Sequence, residues 1–116
     1  MNNGRRNLIE MVMIMLSDLL SVYEQRDKTY MIKVISQAIS KVSDIYGDEE
    51  DAYNNIPENL QCSERAYAIE EALDNLEEAS LALEDALCIL EMDEGDIEDA
   101  MDNVFGAIEC LKEATV

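Results

Sequence analysis

The strongest constraint on this chain is a seven-residue repeat that keeps its phase from Glu70 to Leu111: EEALDNL, EEASLAL, EDALCIL, EMDEGDI, EDAMDNV, FGAIECL. At that period Ile69, Leu73, Leu76, Ser80, Leu83, Leu87, Leu90, Ile97, Met101, Val104, Ile108 and Leu111 fall on one seam. A seam recurring every 3–4 residues is the signature of a helix that packs on other helices. Ala72, Ala79, Ala86, Ala100 and Ala107 lie beside it, widening the stripe and letting a neighbouring helix approach closely.

One unit of the repeat is defective. In Glu91-Met92-Asp93-Glu94-Gly95-Asp96-Ile97, Glu94 falls on the seam and Gly95 in the interior. A glycine costs about 1 kcal/mol inside a helix, and the crowded carboxylates add repulsion. Asp96 is a suitable cap for a new helix. The favoured reading is a break near Gly95; the rival is one helix of about 50 residues, about 75 Å long.

Two further helical segments precede the repeat. From about Arg5 to Gln25 the chain is apolar nearly all round, through Leu8, Ile9, Met11, Val12, Met13, Ile14, Met15 and Leu16. Such a helix must be covered on most sides, either at the centre of a bundle or at a subunit interface. It is too short to span a bilayer, and Glu10 and Asp18 interrupt it. From about Asp27 to Asn55, Ile35, Ala38, Val42, Ile45 and Ala52 make a second stripe, with Ile39, Tyr46 and Tyr53 beside it. The two stripes are out of phase across Glu24–Thr29, which places a turn there with Asp27 as N-cap. Asn54-Asn55-Ile56-Pro57 ends the second helix, because a proline drives the residue before it out of the α region. Ser63 then caps the third helix, and the two make a helical hairpin from Asp27 to Glu91. The expected fold is all-α: an antiparallel bundle of about four helices built on that hairpin, one domain over residues 1–116.

Charge divides the chain unequally. Residues 1–47 carry six basic and five acidic side chains; residues 48–116 carry 2 and 22, so net charges of +1 and −20 make up the total of −19. An adaptation to high salt would acidify both halves. This excess is confined to one, which disfavours direct binding to nucleic acid or to anionic membranes. With no histidine, the commonest general acid–base and metal ligand are missing. Cys62, Cys88 and Cys110 are odd in number and unpaired in spacing, as expected of reduced thiols in a cytoplasmic protein.

Glu70, Glu71, Asp74, Glu77, Glu78, Glu84, Asp85 and Glu91 line adjacent repeat positions and form the candidate partner-binding face. Like charges one turn apart each cost about 0.2–0.5 kcal/mol, so their retention asks for a reason. Mimicry of nucleic acid is one. Between Glu64 and Glu91 the acids fall about one per 4–5 Å, sparser than the roughly 1.7 Å of duplex DNA; two facing stripes in a dimer come closer. A solvated bundle face is the plainer alternative. Glu71 with Asp74 and Glu91 with Glu94 have the spacing with which all-α nucleotide pyrophosphatases hold Mg²⁺, but no group of Lys or Arg accompanies them to meet a phosphate. No catalytic residue, metal or cofactor is therefore assigned. Met11, Met13, Ile14 and Met15 are the candidate apolar face, for a homodimer or another protein partner.

The string Glu49-Glu50-Asp51-Ala52-Tyr53-Asn54-Asn55-Ile56-Pro57-Glu58-Asn59-Leu60-Gln61, followed by Ser63-Glu64-Arg65 and the acidic repeat, resembles short helical-hairpin proteins encoded by phages and mobile elements of Gram-positive bacteria. Those carry E-E-x-A-[FY]-x-N-[LMI]-P-E-x-[LI]-Q-x-S-E-R before acidic heptads. The resemblance spans about Asp48 to Leu90. It implies a hairpin, a cytoplasmic setting and a mobile-element origin, and brings no assigned activity. The sequence thus predicts a non-catalytic protein-binding protein whose acidic half engages a basic host protein. The alternatives are an assembly adaptor that dimerises through the first helix and, least supported, a Mg²⁺-dependent nucleotide pyrophosphatase.

Overall fold

Every apolar stripe needs a partner stripe, and four amphipathic helices satisfy one another by closing around a common core. The computed structural model, which describes residues 1–60 and 62–115, has this arrangement. Its helices are α1 (Asn3–Val22), α2 (Lys28–Asn54), α3 (Glu64–Glu91) and α4 (Ile97–Ala114). Single 3₁₀ turns at Tyr23–Gln25 and Glu58–Leu60 lie between α1 and α2 and between α2 and α3. Gln61, part of the string noted above, lies outside the described residues.

Each helix begins at a side chain that satisfies one of its free N–H groups. Asn2 accepts from the Arg5 amide at 2.8 Å, and Asp27 from that of Tyr30 at 2.9 Å. Ser63 accepts from Ala66 at 3.2 Å, and Asp96 from Glu98 at 2.9 Å. Three of these caps, at Asp27, Ser63 and Asp96, are those expected from sequence.

The helices run up, down, up and down, in a bundle 52 × 22 × 18 Å. Successive helices are neighbours, α4 closes back on α1, and α1 lies diagonally opposite α3. Contacts at both ends fix this direction. Lys28 Nζ donates to the Met92 carbonyl at 3.4 Å, tying the start of α2 to the end of α3. At the opposite end Tyr53 of α2 meets Glu70 of α3.

The core takes Ile9, Val12, Leu16 and Leu19 from α1, and Met31, Ile35, Ala38, Val42 and Ile45 from α2. From α3 it takes Leu76, Leu83 and Leu90 with Ala79 and Ala86; from α4, Val104, Leu111, Ala100 and Ala107. Leu73, Ser80 and Leu87, placed on the seam by the repeat, are only half-buried. The centre of the α3 stripe is rotated toward the alanines, whose small side chains allow close contact with α4.

The chain reverses between Glu91 and Ile97, so the single long helix is excluded. Gly95 is needed there for space, since a Cβ would lie 1.8 Å from the Ile89 carbonyl oxygen. The repeat keeps phase across the reversal, yet helices separated by a turn pack independently of it.

Of the two alternatives for the first helix, the centre of the bundle is excluded. In a closed ring of four helices each has two neighbours and an outer face. α1 packs on α2 and α4 and leaves its third side bare.

Candidate functional site

The buried stripe of α3 sends its remaining side chains outward. Glu70, Glu71, Asp74, Glu77, Glu78, Glu84, Asp85 and Glu91 are all exposed, as the repeat implies. Two of them also brace the bundle. The Tyr53 hydroxyl donates to Glu70 Oε1 at 2.6 Å, and the Cys110 thiol to Glu78 Oε2 at 3.8 Å. The bond to Glu70, reinforced by desolvation, raises the Tyr53 phenol above its usual 10.0. Burial, then the Glu78 charge, raises the Cys110 thiol above 9.0 and holds it in the unreactive form. All three cysteines are free thiols.

A second acidic stripe lies beside the first. α4 exposes Glu98, Asp99, Asp102, Glu109 and Glu113, and α4 is the neighbour of α3. The two helices together carry fourteen carboxylates against Arg65 and Lys112. Along the roughly 42 Å of α3 this is about one charge per 3 Å, about one and a half times the density of the α3 stripe alone.

The acidic surface also contains apolar groups that the sequence reading passed over. Tyr67, Asp74, Leu81 and Cys88 are seven residues apart and trace the outermost line of α3. Tyr67 is 55% and Leu81 53% exposed. Leu81 stands one turn from Glu77 and Glu78 on one side and from Glu84 and Asp85 on the other. The signal was in the repeat, since Tyr67 and Leu81 occupy its most solvated position. Beside Glu77, between α2 and α3, an open groove of about 280 Å³ has Val42 and Leu76 at its floor and Ser43, Tyr46 and Ser80 around it.

On the opposite corner the outer face of α1 carries an apolar ridge flanked by the exposed Glu10 and Asp18. Ile14 is 61% exposed, Met11 60% and Leu8 45%. Met13 and Met15, grouped with them in the sequence reading, are half-buried against the core, and Leu8 takes their place on the bare face.

Among the described residues the one buried charge is Glu49, fully enclosed in the bundle. Arg5 Nε lies 3.2 Å from Glu49 Oε1, and the chain's amino terminus 4.0 Å from Oε2. Both contacts are ion pairs by distance, but the Arg5 N–H is not aligned as a hydrogen bond. Neither carboxylate oxygen has a hydrogen-bond partner among the described residues. The sequence held a signal for this too. The α2 stripe steps from Ile45 to Ala52, and the position it skips, one turn past Ile45, is Glu49.

The carboxylate pairs considered for Mg²⁺ do not gather. Glu71, Asp74, Glu91 and Glu94 are each exposed, the first pair near the start of α3 and the second at its end. Among the described residues no three acidic or thiol groups are placed to share a metal ion. No helix among the described residues is long and apolar enough to cross a membrane. No protein-family model, curated protein or solved structure matches this chain.

Proposed function

We propose that this chain is a non-catalytic binding protein whose α3–α4 face captures a basic surface on another protein. The observation that carries the reading is the set of exposed carboxylates on the neighbouring helices α3 and α4, with Tyr67 and Leu81 standing exposed among those of α3. Carboxylates alone would serve solubility equally well. A large aromatic and a leucine amid them do not serve solubility, but they suit an interface where apolar anchors seat and charges steer. The groove beside Glu77, on the α2 side of α3, offers a further seat for an apolar side chain of the partner. The charge spacing across two helices favours a nucleic-acid-binding protein as that partner, blocked by occupation of its groove. The resemblance of the Glu49–Arg65 string to proteins of mobile elements fits a role against a host protein.

The test is capture from bacterial lysate at about 50 and about 500 mM salt, with wild-type, Asp74→Lys and Leu81→Asp protein as bait. The expected result is a basic partner held at low salt, lost at high salt, weakened by either substitution and displaced by duplex DNA. Capture indifferent to both substitutions and to DNA would refute the reading.

A further inference from the structure

We infer that α1 is the movable helix of this bundle: it undocks and redocks as a unit while α2, α3 and α4 stay packed, and the buried pair of Arg5 with Glu49 is its polar latch. The polar bonds between helices are unevenly shared. Lys28 with the Met92 carbonyl and Tyr53 with Glu70 join α2 to α3, and Cys110 with Glu78 joins α4 to α3. Among the described residues, the side-chain hydrogen bonds of α1 stay within α1 and its cap. Its polar contact with another helix is at Glu49, met by Arg5 and by the amino terminus just before the helix.

That latch sets the position of α1 more than the strength of its hold. Neither Glu49 oxygen, nor Arg5 Nε, has a hydrogen-bond partner among the described residues. Burying the two charges costs hydration, and undocking returns both to water, which offsets much of what the contact contributes. The apolar hold is also slighter. α1 fully buries four of its 20 residues, whereas α4 fully buries seven of its 18. α3 and α4 bury alanines along their stripes and so approach closely; α1 contains no alanine, and its Met13, Met15 and Leu20 remain half-buried. Less apolar area is therefore returned to water when α1 leaves than when α3 and α4 part.

The junction lets α1 leave without unravelling its neighbour. Arg26 and Asp27 are both extended, and the Asp27 side chain caps α2 through the Tyr30 amide. The start of α2 is thus closed by its own residues and does not depend on α1. Once undocked, α1 loses the covering that sustains a helix of this length in water, so its amides open together. Its departure uncovers Glu49 and the sides of α2 and α4 on which it packs.

Hydrogen exchange of the full chain under native conditions, read by mass spectrometry, tests this. The amides of α1 should exchange as a group, roughly tenfold or more faster than the slowest amides of α3 and α4. Arg5→Ala should accelerate exchange in α1 by a further tenfold or so, because it removes the latch. Gly95→Ala strains the α3–α4 junction instead, and should speed the slowest amides of α3 about fivefold or more while leaving those of α1 as they were. Protection of α1 equal to that of α3, exchange in α1 indifferent to Arg5→Ala, or equal acceleration of α1 and α3 by Gly95→Ala would overturn the proposal. Neither substitution touches the carboxylates of α3 and α4, so the outcome is independent of the capture experiment.

Discussion

α1 and α3 are built on the same inner pattern and finished with opposite outer faces. Each buries residues at 3–4 spacing: Ile9, Val12, Leu16 and Leu19 in one, Leu76, Ala79, Leu83, Ala86 and Leu90 in the other. Outside, α1 shows Leu8, Met11 and Ile14, while α3 shows carboxylates with single apolar groups between them. The positions of their charges differ as well. α1 sets Arg5 against the buried carboxylate of Glu49, whereas the acids of α3 are all exposed. The inner seam determines that a helix belongs to the bundle. The outer face is free of that duty, and there the two helices differ in charge and polarity.

The difference is sharpest at the buried pair. Arg5→Ala should destabilise the fold by about 2–4 kcal/mol, because it strands Glu49 without its guanidinium; urea melts measure this. The double variant Arg5→Met with Glu49→Met should recover most of the loss, since a buried ion pair is readily replaced by apolar groups of similar size. If both variants melt with the wild type, the pair is not what anchors the first turn of α1.

Gly95→Ala should cost about 1–3 kcal/mol, as expected for a small group forced into occupied space. The added methyl must displace the Ile89 carbonyl. Thermal melts would show it, and an unchanged Tm would mean that the α3–α4 junction adjusts freely.

On the acidic face the sign reverses. Asp74 stands one turn from Glu70, Glu71, Glu77 and Glu78. Asp74→Lys should therefore raise Tm, by about 2–5 °C at low salt and less at high salt. A fall in Tm would show that the carboxylates of α3 serve stability, removing the reason to seek a partner for them.

The smallest effect is alkaline. Tyr53, Tyr46, Tyr23 and Cys110 all have folded-state pKa values raised above their usual 10.0 and 9.0. A raised value favours the protonated group in the fold. The resulting stability is complete below the unfolded pKa and is lost as pH climbs through the folded one. Stability should decline above about pH 9–10, and Tyr53→Phe should make that decline shallower. A melting temperature flat to pH 11 would contradict the contact with Glu70.

The caps at Asp27, Ser63 and Asp96, the stop before Pro57 and the break at Gly95 were legible because each is a local event between residues a turn apart. The acidic face was legible for the same reason: an unbroken period fixes which positions share a side. Three features were not. Leu81 and Tyr67 lie on the outermost line of the repeat, where the seam that marks the helix says nothing of which side chains stand exposed. Glu49 was missed because a carboxylate in an apolar stripe reads as a flaw until Arg5, 44 residues away in the chain, is seen to face it. Met13 and Met15 were grouped with Met11 and Ile14, and only the position of α4 decides which of the four remain bare.

Sequence alone determined the helices, their ends, and the inner and outer side of α3 and α4, since periodicity and capping act over one or two turns. Tertiary structure decided which helices are neighbours. It thereby set the acidic stripes of α3 and α4 on neighbouring helices, enclosed Glu49, and left α1 at the corner opposite α3. The physical reason is that a helix's own pattern specifies that it must be covered, while the covering surface comes from residues distant in the chain.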